Sequence, residues 1–159
     1  MQTTNAASGS SILQQLQSGA VVFFQAGATY LTYTAFNEAP VLSWATNQDQ
    51  AMPFTFKNYV CAADQQSATA ELQTPMDGGT LYVSPYEGEV SGLTNPILSL
   101  PTPVQLKLVL TSDPSQQVVN LLTKDGASFF TYSENPTNYV TLTASDEQAV
   151  AFTVMLLHR

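Results

Sequence analysis

The side chains that most often carry catalysis or bind metals are scarce in this chain. Cys61 is the single cysteine, and His158, the single histidine, is the penultimate of 159 residues. A His/Cys metal cluster needs several such ligands, and a Cys–His or Ser–His relay needs a base held beside its nucleophile. Glu87 and Glu89 form a lone acidic pair, and such pairs in loops are usually solvent-exposed rather than arranged for glycoside hydrolysis. We therefore expect no enzymatic activity, no metal and no cofactor.

Two Asp-Gly pairs invite comparison with the glycine-rich loops that bind phosphate. They are "DGG", which begins at Asp77, and "DGA", which begins at Asp125. Neither has the strand-to-helix context or the positioned lysine of a phosphate loop. Asp-Gly between two apolar runs is instead a strong hairpin signal. Both are predicted to be hairpin turns. As candidate ligand sites they rank second, after three longer loops that each follow the second strand of a predicted repeat.

Each of these three loops combines an aromatic ring with a carboxylate and an amide. The apolar face of a ring can contact the CH side of a sugar, while carboxylates and amides form hydrogen bonds with its hydroxyls. The same residue types also favour exposed turns, which is the alternative explanation. The predicted ligand-binding residues are Tyr33, Phe36, Asn37 and Glu38 in the first loop, Tyr86, Glu87 and Asn95 in the second, and Tyr132, Glu134 and Asn135 in the third.

A repeat in the sequence indicates which elements position these loops. A glycine, two residues, two large apolar residues and a β-branched residue recur from Gly27, Gly78 and Gly126. The spacing is roughly fifty residues, a period typical of repeat architectures. Segments that alternate apolar and polar residues follow in the same order in each copy, and such alternation marks half-buried strands. Turn-rich all-β sequences can produce chance self-similarity, but here several landmarks recur together in all three copies.

Three copies of four strands predict an all-β fold in which the copies close on one another, because one copy cannot bury its apolar face alone. The segments "GATYLT", from Gly27, and "PFTF", ending at Phe56, resemble the core pattern of fascin-like and growth-factor-like β-trefoils. The Gln-x-Trp tripeptide of ricin-B-type trefoils does not occur in the sequence. The resemblance covers residues 19–157. It implies a β-trefoil of twelve strands, with six strands in a short barrel and three hairpins that cap its end.

The chain is accordingly divided into an N-terminal tail over residues 1–18, partly disordered, and a single β-trefoil domain over residues 19–159. The repeats are predicted at about 19–66, 67–114 and 115–159. Within the tail, "SSILQQLQSG" offers Ser10 or Ser11 as a cap and Gly19 as a stop, so a short helical turn is expected. The predicted core residues are Phe23, Leu31, Leu42, Phe54, Leu72, Tyr82, Leu98, Leu106, Leu122, Phe130, Leu142 and Phe152.

Composition narrows the classes of partner. The chain has four Lys plus Arg against twelve Asp plus Glu, and its formal net charge is -8. This charge repels phosphate backbones and anionic lipids, so nucleic acids and membrane surfaces are disfavoured as partners. No apolar run approaches the ~20 residues that span a bilayer, and the N-terminus lacks the pattern of a signal peptide. With one cysteine, we expect a cytoplasmic protein, or one released without a recognisable signal peptide.

These observations together predict a non-enzymatic, lectin-like module with up to three shallow sites for a carbohydrate or glycoprotein. Weak sites repeated on one rigid body would gain avidity on a multivalent target. The alternative is a protein-binding trefoil. It would be a protease inhibitor that uses the proline-rich segment over residues 84–103, or a structural or toxin-associated subunit. That segment contains no Lys or Arg, which argues against inhibition of trypsin-like enzymes.

Overall fold

The structure is a computed structural model that describes residues 11–36, 38–76, 79–86, 88–90, 92–132 and 139–158. Strands dominate these ranges, as predicted for an all-β protein. One short helix, α1, covers Ile12–Gln15, and single 3-10 turns cover Gln48–Gln50 and Asp146–Gln148. The strands are β1 Val21–Ala26, β2 Thr29–Phe36, β3 Ala39–Ala45, β4 Phe54–Cys61, β5 Ser67–Met76, β6 Gly79–Pro85, β7 Glu89–Val90, β8 Leu93–Thr94, β9 Ile97–Leu100, β10 Gln105–Leu110, β11 Val118–Thr123, β12 Phe129–Tyr132, β13 Val140–Thr143 and β14 Phe152–His158.

Twelve of these strands form one sheet, and β7 and β8 pair separately. Six strands of the large sheet pair antiparallel in a closed cycle, in the order β1, β4, β5, β10, β11, β14 and back to β1. Each strand of the cycle therefore has a partner on both edges. Closure of this kind protects strand edges from pairing with other chains.

Three hairpins are attached to this cycle. The pairs β2–β3, β6–β9 and β12–β13 continue from β1, β5 and β11 respectively. The hairpins also meet one another, through the Val41↔Leu98 pairing and a bridge between Ser43 and Tyr139. Each range predicted as a repeat contains four strands of the large sheet, and the second range contains β7 and β8 in addition.

A cluster of phenylalanines lies at the centre of the core. Phe24, Phe54, Phe56, Phe130 and Phe152 are all fully buried. The Phe24 ring lies 5.6 Å from Phe54 and 6.0 Å from Phe152, centroid to centroid, at tilted to perpendicular angles. Such tilted contacts are favoured by the charge distribution of aromatic rings.

Most of the predicted core residues are buried, and three are not. The buried ones are Leu31, Leu42, Phe54, Leu72, Leu98, Leu106, Leu122, Phe130 and Phe152. Tyr82 and Leu142 are only half-buried. The prediction that Phe23 lies in the core is wrong, because burial in β1 alternates and places Val22, Phe24 and Ala26 inside. Since successive strand residues point to opposite faces, Phe23 lies on the outer face.

The described part of the predicted tail is packed against the core. The expected helical turn is present as α1, and Ile12 and Leu13 are buried with Leu16. The Ile12 N–H donates to the Gln116 carbonyl at 2.8 Å, and the Tyr59 hydroxyl donates to the Leu13 carbonyl. The region expected to be disordered, before Ser10, lies outside the described residues. Among the described residues no helix is long and apolar enough to cross a membrane.

Candidate functional site

Tyr33 of the first predicted loop faces the protein interior. It belongs to β2, and its ring lies 6.4 Å from the ring of Phe54. Burial raises the pKa of the Tyr33 phenol well above its usual range. The phenol oxygen itself is buried without a hydrogen-bond partner, whereas Thr74 Oγ1 and Ser99 Oγ are 3.1 Å apart. Most of the Tyr33 ring is therefore packed against the core rather than presented to a ligand.

The other residues of the first loop point in different directions. Phe36 is half-buried, and its ring lies 5.9 Å from that of Tyr139 in a second apolar cluster. Glu38 is exposed and has a positive φ of 69°. Asn37 lies outside the described residues. The described side chains of this loop therefore do not converge on one binding surface.

The second and third loops present one exposed ring each. Tyr86 is 42% exposed, and its ring covers Gly88, where an added Cβ would lie 2.7 Å from Tyr86 Cε2. Tyr132 is 44% exposed, and its ring lies 4.4 Å from that of the buried Trp44. Glu87, Glu134 and Asn135 lie outside the described residues. Neither exposed ring lines either of the two cavities described below.

A cleft of about 750 Å³ lies where the second and third predicted repeats meet. We call it the junction cleft. Pro85 at the end of β6 and Asn95 before β9 line one side of the cleft. Residues 104–105, at the start of β10, also line it. Residues 123–125 and 127–128, between β11 and β12, and residues 142–144, at the end of β13, complete the lining. Of the predicted ligand-binding residues Asn95 lies here, as does Asp125 of the second-choice turn.

Hydrogen bonds hold the turn between β11 and β12 in place beside the cleft. The Thr123 N–H donates to the Ser128 carbonyl at 2.9 Å, and Gly126 has a φ of 77°, which glycine adopts without strain. Asp125 Oδ1 accepts from the Ala127 N–H at 2.9 Å and from Thr123 Oγ1 at 2.7 Å. These two bonds lower the pKa of the Asp125 carboxyl. The predicted Asp-Gly turn is thus a fixed wall of the cleft.

Asn95 is anchored on the opposite side of the junction cleft. Its N–H donates to the Gly88 carbonyl at 3.1 Å, and its carbonyl accepts from Thr141 Oγ1 at 3.1 Å. Its backbone has a positive φ of 52°, a conformation that asparagine tolerates better than most residues. The backbone of Asn95 therefore connects the loop before β9 to β13.

A smaller groove of about 520 Å³ lies between α1 and β4 and contains Cys61. Cys61 is free and half-buried. Burial raises the pKa of its thiol, with a smaller contribution from the Asp64 carboxylate. The thiol is therefore protonated at neutral pH and is a poor nucleophile. Among the described residues, no group of three His, Cys, Asp or Glu side chains is placed to bind a metal.

Most of the junction cleft was not found from the sequence. The sequence predicts strands at Gln105 and Leu142 and no element at Val104, and the proximity of the three residues depends on the pairing of distant segments. One local signal was present. Lys124 is one of only three lysines in an acidic chain, and it directly precedes the Asp125-Gly126 turn.

Comparison with known proteins gives a match to the fold. The sequence matches no family model and no curated protein. A solved structure described as "type II water soluble Chl binding proteins" matches with a TM-score of 0.66 and 12% sequence identity. The match covers 90% of this chain and 94% of that one. The prediction of a lectin with a carbohydrate or glycoprotein partner is therefore wrong, because the solved structure with the same fold binds a pigment rather than a sugar.

Proposed function

We propose that this chain is a β-trefoil and that it binds a small, partly apolar organic molecule in the junction cleft. The trefoil proposal is supported by the closed cycle of six strands and the three attached hairpins. It is also supported by the distribution of four sheet strands to each of three successive segments. In a trefoil, the junction cleft would be the boundary between the second and third repeats.

The observation that carries the binding proposal is the size and lining of the junction cleft. Its volume of about 750 Å³ is within the range of roughly 300–1,000 Å³ typical of small-molecule sites. Pro85, Val104 and Leu142 contribute apolar surface, while Asn95 and Gln105 contribute amide groups. Polar and apolar residues both contribute to the lining, which fits a ligand that has polar as well as apolar parts.

A binding role is better supported than catalysis at this position. The titratable groups of the lining are Lys124 and Asp125. Asp125 is a weak general base, because two hydrogen bonds from its own turn stabilise the carboxylate and lower its pKa. No ordinary nucleophile–base pair is apparent among the lining residues, whose hydroxyls belong to Thr123, Ser128 and Thr143.

The similar structure belongs to a protein that binds chlorophyll, itself a large molecule with apolar and polar parts. At 12% identity the likeness concerns the fold, so the ligand class is argued from the cleft of this chain. Chlorophyll can therefore be titrated in addition to the two dyes of the test described below. Saturable binding of chlorophyll in the junction cleft would extend the proposal to pigments.

The test is a fluorescence titration with two dyes, N-phenylnaphthylamine and anilinonaphthalene sulfonate, on the folded protein. Ala144 is exposed and lines the cleft, so Ala144→Phe should fill part of it with little effect on folding. Ala151 is an exposed alanine outside the cleft, and Ala151→Phe is the matched control. We expect Ala144→Phe to weaken dye binding roughly tenfold, equivalent to about 1.4 kcal/mol, and Ala151→Phe to leave it unchanged. Absence of binding by both dyes, or equal binding by the two variants, would overturn the proposal.

A further inference from the structure

We propose that the ligand of the junction cleft carries an anionic group, and that Lys124 and Lys107 hold this group. This inference rests on the proposed function. It assigns the ligand to a chemical class, the organic anions with an attached hydrocarbon or ring system. The class includes carboxylates, sulfonates and phosphates of that kind.

The first support is the distribution of positive charge. The chain has three lysines and one arginine against twelve carboxylate residues. Lys124 lines the junction cleft, and Lys107 lies on β10, whose first residue, Gln105, also lines it. The remaining lysine, Lys57, lies on β4. Two of three lysines in a chain of net charge -8 thus lie in or beside one cleft.

The second support is the position of the Lys107 ammonium group. In the β10–β11 ladder Lys107 is opposite Leu122, just before the turn that forms one wall of the cleft. Its Nζ lies 3.9 Å from the point where a Cβ on Gly126 would be. Gly126 stands between Asp125 and Ala127, and both of these residues line the cleft. Lys124 therefore belongs to the turn between β11 and β12, and the Lys107 ammonium group lies beside the same turn.

The carboxylate of Asp125 only partly offsets these charges. Its Oδ1 atom accepts hydrogen bonds from Thr123 Oγ1 and from the Ala127 N–H, so it is directed into its own turn. The pKa of Asp125 is lowered by these bonds. The Glu71 carboxylate lies opposite Gln105 in the β5–β10 ladder, one strand away from the cleft lining. The turn itself has the two ammonium groups of the lysines and the Asp125 carboxylate, and this excess of positive charge attracts an anion.

The apolar part of the cleft distinguishes an organic anion from a simple inorganic one. Leu142, Val104 and Pro85 contribute a surface that an inorganic ion would leave in contact with water. An anion with an attached apolar part would cover this surface and place its charge at the lysines. Both contacts would contribute to its affinity.

The experiment uses a pair of dyes that share one ring system. Anilinonaphthalene sulfonate differs from N-phenylnaphthylamine by its sulfonate, so the ratio of their affinities reports the contribution of the anion. Lys124→Gln and Lys107→Gln each remove one positive charge at the cleft. Lys57 is exposed on β4 and does not line the cleft, although it lies two strands from Gln105 in the same row of the sheet. Lys57→Gln removes the same charge there and is the matched control.

We expect the wild-type protein to bind the sulfonate dye more tightly than the neutral dye. High salt should reduce this difference in affinity, because it screens the attraction between charges. Lys124→Gln and Lys107→Gln should each weaken sulfonate binding roughly three- to tenfold, as expected for loss of one charge-assisted contact. Neutral-dye binding should be unchanged in both variants. Lys57→Gln should have little effect on either dye.

Three outcomes would overturn the inference. Equal affinities for the two dyes, with Ala144→Phe still weakening both, would refute the anionic class while leaving the cleft as a binding site. An effect of Lys57→Gln as large as that of Lys124→Gln would show attraction by overall charge rather than by the cleft. Absence of binding by both dyes would refute the proposed function together with this inference.

Discussion

Replacement of Tyr33 by alanine should destabilise the protein, although the sequence alone assigns this residue to an exposed loop. The ring packs against the core beside Phe54, at a centroid distance of 6.4 Å. Removing a large buried aromatic side chain typically costs about 3–5 kcal/mol. Tyr33 keeps a small exposed fraction, so we expect the lower end of this range. A loss of about 3 kcal/mol is a large part of the ~5–15 kcal/mol that stabilises a typical domain.

The assay is urea unfolding, followed by the fluorescence of Trp44, the single tryptophan. Tyr33→Ala should lower the midpoint without a change in the slope of free energy against urea concentration. The melting temperature should fall by about 6–12 °C, given ~2–4 °C per kcal/mol for a chain of this size. The exposed Tyr86 provides the control, and Tyr86→Ala should cost about 1 kcal/mol or less. A cost below about 1 kcal/mol for Tyr33→Ala would refute the burial of this ring in the core.

Tyr33→Phe isolates the contribution of the hydroxyl. The phenol oxygen is buried without a hydrogen-bond partner, and an unsatisfied buried polar group costs about 1–3 kcal/mol. Its removal should therefore leave the free energy of unfolding unchanged or raise it by about 1 kcal/mol. A loss of stability instead would show that the hydroxyl is bonded to the neighbouring Thr74–Ser99 pair, directly or through a water molecule.

Three other predictions concern the core, the surface aromatic pair and pH. Leu13 is fully buried, so Leu13→Ala should cost about 2–5 kcal/mol in urea unfolding, and a negligible cost would contradict the packing of α1. Tyr132 covers Trp44, so Tyr132→Ala should move the tryptophan emission to longer wavelength at a cost of about 1 kcal/mol; an unmoved spectrum would contradict that contact. Burial raises the pKa of Tyr33 and of Tyr59, so their stabilising contribution is complete below the unfolded value of about 10. It is lost as pH rises towards the folded pKa values. Above about pH 10, the melting temperature of the wild type should therefore fall more steeply with pH than that of the double variant Tyr33→Phe plus Tyr59→Phe.

The strands were largely predictable because their side chains alternate. Three segments with this alternation, Val41 to Trp44, Ile97 to Leu100 and Tyr139 to Leu142, coincide closely with β3, β9 and β13. The inward face of β1 was not predictable in the same way. Val21, Val22, Phe23 and Phe24 are all apolar, so period two cannot choose a face. The choice follows from pairing with β14 and β4, which sequence-local patterns do not contain.

The lining of the junction cleft was less predictable than the strands. β2 extends to Phe36, so Tyr33 lies in a strand where its ring can pack inward rather than in a turn. Aromatic and β-branched residues favour strands, and this preference is the physical reason why β2 includes residues that the sequence analysis places in a loop. The junction cleft combines segments around residues 85, 95, 104, 125 and 143. Of these, the sequence singles out only Asn95 and Asp125 as candidate ligand contacts, because both lie at turns and turn signals are local.

The most direct measurement of the central claim is an amide NMR titration with anilinonaphthalene sulfonate. We predict saturable shifts for residues 104–105, 123–128 and 142–144, which border the junction cleft. The same shifts should be strongly reduced in Ala144→Phe. Shifts centred on Leu13, Tyr59 and Cys61 would place the ligand in the groove between α1 and β4. That result, or shifts spread evenly over the surface without saturation, would contradict the account.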